Sequence, residues 1–250
     1  QPKLKKYAES LGLICFSSPF DKSSVDFLEK MNVPAYKIAS FEITDIPLIE
    51  YVASKKRPVI ISTGIAKLEE IKEAIDACKR MGNDQYALLK CTSSYPAPIE
   101  EANLLTIPDM SKRFNCIVGL SDHTLGDITA ITAVALGAKI IEKHFILDRS
   151  IGGPDAEFSM EPKAFKTMVD SIREAEKTLG KKTYVLSDKN CASRNFSRSL
   201  FVVKDIKKGE KITEENVRSI RPGYGIPPKY LTKIIGKRTI TNLRRGTPLK

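Results

Sequence analysis

Residues 138–159 read AKIIEKHFILDRSIGGPDAEFS, and the fold turns on how that stretch begins. Ile140 and Ile141 open an apolar run that suits a buried strand, yet Glu142, Lys143 and His144 follow at once, before Phe145 restores the apolar character. Three ionisable groups in a row are costly to bury unless they are paired or bind something. A strand ending in such a triplet is expected to aim its end at a site.

The same ending recurs upstream. Six apolar runs read as strands: LICFSSP, AYKIAS, PVIISTG, ALLKCTSSYP, CIVGLSDHT and AKIIEKHF. Amphipathic segments separate them, and EPKAFKTMVDSIREAEKTLGKK follows the last, which is the alternation of a parallel α/β fold. Near-continuous Val/Ile/Leu strands suit a sheet covered on both faces. Almost every run closes on polar residues: Ser17-Ser18, Ser40 with Glu42, Ser62-Thr63-Gly64, Thr92-Ser93-Ser94-Tyr95, Ser121-Asp122-His123 and Glu142-Lys143-His144. Ser and Thr also cap helices and build turns. That accounts for one or two such ends, not six with both histidines of the chain among them. In a (β/α) barrel all six would converge on the mouth where active sites lie.

Composition bounds the partners. The 250 residues are 42% hydrophobic and 28% charged, enough apolar material for one large domain or a domain plus a small module. Charge is unevenly placed: residues 1–180 hold 23 Lys+Arg against 25 Asp+Glu, whereas residues 181–250 hold 18 against 5. We expect a barrel over 1–180, a polar linker over 181–197 and a small β-rich module over 198–250. The basic module lacks interleaved aromatics and any nucleic-acid motif, so its charge reads as a solvated face or an attractor of small anions. Five scattered cysteines with no CxxC suit a reducing compartment. No apolar run approaches a membrane span and the first residues read as an amphipathic helix, so the expected location is cytoplasmic, with no membrane partner.

His123 and His144 end neighbouring strands, each near an acid, Asp122 or Glu142. Strands lie about 4.8 Å apart, so two adjacent ends can share one divalent ion, and imidazole suits Mn, Fe, Zn or Co. Lys37 and Lys143, placed toward the mouth, would bind anionic oxygens with Ser40, Ser62, Thr63 and Ser93 around them. Lys90 has similar spacing but can snorkel outward. Lysine with hydroxyls and no GxxxxGK[ST] loop favours a small phosphorylated carboxylate over a nucleotide triphosphate. Asp155 leaves the strand end of His144 on the turn GGPDAEFS and can reach the same cavity. A hydrolase elbow and a dinucleotide fingerprint are both absent. Glycoside hydrolysis by Glu42 with Glu142 or Asp155 would leave the histidines and lysines without a role.

Taken together, YKIASFE, STG, CTSSYPAP, GLSDHTLG, AVALGAKIIEKHF, GGPDAEFS and the terminal VKDIKKGEKIT…IRPGYGI resemble the sialic acid synthases, enzymes that condense phosphoenolpyruvate with an amino sugar. The resemblance runs through essentially the whole chain in the family's order. It implies a TIM (β/α)8-type barrel, N-terminally incomplete in this chain because the matching segments begin at the family's third βα unit, followed by a C-terminal SAF (antifreeze-like) domain. It implies that His123 and His144 hold a divalent metal, usually manganese, with magnesium or cobalt as alternatives. Lys37, Ser40, Ser62, Thr92, Ser93 and Ser121 would hold phosphoenolpyruvate. Glu42 and Glu142, with His144 and Asp155, would stand at the reacting centre, and Tyr95 and Asp155 would contact the sugar. Arg221 matches an arginine that the SAF domain places in the barrel mouth of the other subunit of a domain-exchanged homodimer. Ala156-Glu157-Phe158 looks most like the pseudaminic acid synthase branch, whose sugar carries a 6-methyl group that Phe158 would welcome. N-acetylneuraminate and legionaminic acid synthases are close alternatives. An aldolase or DAHP-type condensing enzyme is disfavoured by the SAF module. From another class, an inactive fragment acting as a dimerising sugar-binding module is the competing expectation.

Overall fold

Strand and helix alternate through the first unit as the apolar spacing predicts. The computed structural model describes residues 1–250 and divides into Gln1–Gly180 and Lys181–Lys250. The first unit runs α1 (Pro2–Ser10), α2 (Lys22–Lys30), β1 (Tyr36–Ile38), α3 (Ile46–Ser54), β2 (Val59–Ser62), α4 (Leu68–Arg80), β3 (Tyr86–Cys91), α5 (Thr106–Phe114), β4 (Ile117–Asp122), α6 (Ile128–Ala135), β5 (Ile140–Lys143) and α7 (Pro162–Leu179). Local chemistry sets the helix starts. The Asp21 and Asp45 carboxylates accept from the backbone N–H of Ser24 and Leu48, satisfying donors that a helix leaves unpaired. Pro162 opens α7, where its missing N–H costs nothing.

The five strands form one parallel sheet in the order β1-β2-β3-β4-β5, an open half-barrel with helices on its outer face. Outward side chains such as Ile38, Ile61, Leu88, Val118 and Leu120 join Val25, Leu28, Ile49, Val52, Ile75 and Ile107 in the main core. A second cluster, with Ala130, Val134, Met168 and Ile172, joins α6 to α7. At Gly119 a Cβ would lie 2.3 Å from the Ile140 carbonyl oxygen, so only glycine lets β4 and β5 approach there. No helix is long and apolar enough to cross a membrane.

The first of the six expected strands is reduced to a single bridge, Ser17 to Tyr36. LICFSSP has a partner on one side only, and Leu13 and Ile14 are 59% and 79% exposed. One bridge is not a ladder, so the run has no continuous hydrogen-bonded partner to hold it as a strand.

The second unit holds α8 (Asp188–Ser193), β6 (Ser199–Val202), β7 (Val217–Ile220) and α9 (Leu231–Ile234). Strands β6 and β7 pair antiparallel, and Leu200, Val202, Ile206, Ile212, Val217 and Leu249 make a small core. The segment expected to be linker carries α8, capped by the Ser187 hydroxyl, which accepts from Asn190 N.

Candidate active site at the strand ends

Parallel register puts equivalent positions in rows, and side chains alternate between the two faces of a sheet. Cys91, Ser121 and Glu142 are Cα partners across β3, β4 and β5. They share the inner face, and His123 and His144, two positions further on, return to it. The result is a cavity of about 220 Å³ whose walls include Lys37, Ser40, Ser62, Cys91, Tyr95, Ser121, His123, Glu142 and His144. That size suits a small acid better than a nucleotide. A larger groove of about 610 Å³ in the second unit is lined mainly by Ile212, Ile226, Ile234, Leu243 and Leu249 with a basic rim. It has neither histidine nor acid and carries no comparable chemistry.

Lys37 is buried, and its ammonium donates to Ser62 Oγ at 2.7 Å and to the Ile38 carbonyl at 3.1 Å, with Glu142 Oε1 3.5 Å away. Burial pulls its pKa down, and Glu142, Cys91 and Glu42 only partly restore it. Ser121 Oγ donates to Glu142 Oε1 at 2.6 Å. Ser40 and Ser93 hydroxyls lie 2.7 Å apart. Glu42 Oε2 is buried with no hydrogen-bond partner, an uncompensated acceptor of a kind native structures rarely leave without a purpose.

The two imidazoles have ring centroids 5.2 Å apart. His123 Nδ1 lies 2.9 Å from the Thr92 carbonyl oxygen. A carbonyl can only accept, so Nδ1 is the donor and Nε2 is the nitrogen left to face a ligand. Burial lowers the His123 pKa, but hydrogen bonds to Cys91 and to the Thr92 carbonyl outweigh it, leaving a net rise. His144 Nδ1 is 3.5 Å from Asp155 Oδ2. Tyr95 stacks 4.3 Å from His123. This donor set fits a divalent metal: two imidazoles, one already oriented by a backbone carbonyl in the manner of outer-shell partners. No group of three or more His, Cys, Asp or Glu side chains is gathered to hold an ion, so further ligands would be water or substrate oxygen.

Two side chains expected at the mouth, Lys143 and Thr92, turn to the outer face. Lys143 sits between Glu142 and His144, so alternation sends it outward, where it pairs with Asp122 at 2.7 Å. Thr92 also turns outward, its hydroxyl donating to the Glu101 carbonyl at 3.1 Å, while Lys90 bonds the Cys91 carbonyl at 2.7 Å. Phe158 is 3% exposed and its ring packs 4.8 Å from that of His144 and 5.7 Å from that of Tyr95. Arg221 lies exposed in the second unit, just after β7. Ala39, Phe41 and Cys91 line the cavity but were not expected there, and Cys91 is the one with reactive chemistry. Its place two positions before Ser93 on one strand face was the available signal.

Gly64 closes one wall. A Cβ there would stand 2.0 Å from Ser93 Oγ and 3.2 Å from Ser40 Cβ. Gly64→Ala is expected to swing Ser93 away from Ser40, costing about 1 kcal/mol for the lost hydrogen bond. Thermal unfolding should show it as a drop of roughly 2–4 °C.

A parallel βα half-barrel with a polar cavity at its strand ends, two histidines and a buried lysine has the architecture of a (β/α)-barrel enzyme. The chain matches the NeuB family over residues 1–184 and the SAF domain over residues 197–250. It belongs to the NeuB family, the sialic acid synthase family its motifs resemble. The pseudaminic acid synthase of Campylobacter jejuni subsp. jejuni serotype O:2 is 46% identical over 243 residues, 97% of this chain and 71% of its own length. That of Helicobacter pylori is 45% identical over 248 residues, 99% of this chain and 73% of its own. The crystal structure of the spore coat polysaccharide biosynthesis protein SpsE from Bacillus subtilis superposes with a TM-score of 0.67 at 34% identity, covering 99% of this chain and 75% of that one.

Proposed function

We propose that this protein condenses phosphoenolpyruvate with a 2,4-diacetamido-2,4,6-trideoxy-hexose, releasing pseudaminic acid and inorganic phosphate. One cavity sets a buried ammonium and a ring of hydroxyls beside two imidazoles, and that pairing carries the reading. Relatives named for this activity, at 45–46% identity, support the choice of sugar.

Lys37 Nζ, with Ser62, Ser40 and Ser121 as donors, would hold the phosphate and carboxylate oxygens, in a site where charge-assisted hydrogen bonds are strongest. His123 and His144 would hold a divalent ion, manganese in this reading, which would supply Lewis-acid polarisation of the sugar aldehyde. Carbon 3 of phosphoenolpyruvate bonds to the aldehyde carbon, whose oxygen gains a proton. Water adds at carbon 2, its proton passing to a carboxylate, a role that Glu42, whose buried Oε2 has no hydrogen-bond partner, would fill. Phosphate then departs. Glu142, which accepts from Ser121 and lies 3.5 Å from the Lys37 ammonium, would orient those donors beside the anion site, while Asp155 and Tyr95 would face the sugar. The same reading places Arg221 of the SAF domain at the barrel mouth of a second subunit, in a homodimer.

The test is a phosphate-release assay with phosphoenolpyruvate and manganese. 2,4-Diacetamido-2,4,6-trideoxy-altrose and N-acetylmannosamine are offered separately. Release with the trideoxy sugar alone is the expected result. Release with N-acetylmannosamine alone moves the protein to another branch, and none with either sugar under manganese, magnesium or cobalt overturns the reading.

A further inference from the structure

Behind the two histidines, on the opposite face of the sheet, lies the most completely bonded polar group in the first unit. Asp122 and Lys143 are Cα partners in the last row of the β4–β5 ladder, their side chains each 1% exposed and 2.7 Å apart. Asp122 Oδ1 accepts from Thr124 N at 2.9 Å and from Thr124 Oγ1 at 2.8 Å. Oδ2 accepts from Thr129 Oγ1 and from Lys143 Nζ, each at 2.7 Å. Lys143 Nζ also donates to the Thr124 carbonyl at 2.6 Å.

Burying such a pair yields little net stability, because desolvating two charges offsets most of their attraction, and apolar replacements of like volume are often as stable. Its position suggests what it does instead. His123 is bracketed by Asp122 and Thr124, and the Asp122 carboxylate grips both. His144 follows Lys143 directly. The pair therefore ties together the last backbone units before each imidazole at the point where the ladder of β4 and β5 ends.

We propose that Asp122 and Lys143 are positioning residues: their ion pair locks the two strand ends in register and so fixes the spacing of His123 and His144. The inference rests on the reading that these imidazoles act together on one ion. Because the pair faces the helices, it touches nothing in the cavity and acts only through the histidines.

The test uses Asp122→Asn/Lys143→Met, which keeps the volume and removes both charges, with three measurements. Thermal unfolding reports the fold. Long-range proton–nitrogen spectra of the imidazoles report their order without any metal, and with only two histidines in the chain there are two spin systems to follow. Calorimetric titration with manganese(II) chloride reports affinity. The expected result is a folded variant in which His123 loses its fixed Nδ1–H tautomer and manganese binds roughly 10–100-fold more weakly, the range for losing an outer-shell partner. A folded variant with unchanged imidazole resonances and unchanged manganese affinity overturns the proposal. Should the wild-type protein bind no manganese, the metal reading fails, and the imidazole spectra still decide the role of the pair. Should the double variant unfold, Thr129→Val decides: it removes one bond to the Asp122 carboxylate and leaves the charges. A shifted His123 resonance then supports the lock, and an unshifted one overturns it.

Discussion

Alanine at either His123 or His144 is expected to lower manganese-dependent phosphate release by a factor of about 1,000 or more. Lewis-acid stabilisation of a developing alkoxide is worth several kcal/mol, and each 1.4 kcal/mol is tenfold in rate. The two positions should differ in stability. His123 is 6% exposed, stacked on Tyr95 and bonded to the Thr92 carbonyl, so its loss leaves a gap and an unpaired acceptor. The side chain of His144 is 33% exposed and should be lost with a smaller effect on the fold. Turnover, manganese affinity and Tm measured on both variants separate the effects. Turnover within a few-fold of wild type, for a folded variant saturated with manganese, would sink the shared-ion reading.

Lys37→Met is the second large effect. Methionine keeps most of the stem but removes the ammonium that lies against Ser62 Oγ and Glu142 Oε1. The Lys37 ammonium is buried but the Glu142 side chain is 41% exposed, so solvent screens the pair and losing it costs the fold only modestly. Here the orphaned Glu142 carboxylate would also repel the incoming phosphate. We expect kcat/KM for phosphoenolpyruvate to fall roughly 100- to 1,000-fold, about 3–4 kcal/mol for a lost charged contact to the bound anion, with KM rising because the contact exists already in the bound ground state. Adding Glu142→Gln should recover stability without recovering affinity. A KM for phosphoenolpyruvate that stays at the wild-type value in Lys37→Met would remove this lysine from the anion site. The lowered pKa of Lys37 adds a sign that can be checked. Anion binding needs the protonated amine, so affinity in the wild-type protein should fade with rising pH before an ordinary lysine would lose its proton.

Much of this was legible in one dimension. Short Val/Ile/Leu runs alternating with amphipathic helices imply a parallel sheet, because each crossover needs a helix to return the chain. Polar residues at successive strand ends imply a shared mouth. The chain's two histidines at neighbouring strand ends implied a shared site before any coordinates, and the structure puts their rings 5.2 Å apart. The change from near-neutral to strongly basic composition beyond residue 180 marked the second module.

Facing was the weaker part of the reading, although the rule that settles it is simple. Alternation assigns Glu142 and His144 to one face and Lys143 to the other, yet a lysine inside an apolar strand invites a functional role. Its real partner, Asp122, lies 21 residues upstream and is visible only once β4 and β5 are in register. Thr92 was likewise drawn to the mouth by its neighbours Ser93 and Ser94, though it shares the parity of Lys90. LICFSSP had every local mark of a strand, but strand formation is a property of pairs, and one bridge to Tyr36 is all it finds. Phe158 has a polar loop for sequence context and a buried place beside His144 in the fold.

The sequence by itself determined the parallel α/β architecture and the placing of both histidines at neighbouring strand ends, because periodicity and residue type are local properties. Only the tertiary structure decided which side chains share the cavity and which lock it from behind, because register between strands arises from long-range pairing that no single stretch of chain contains.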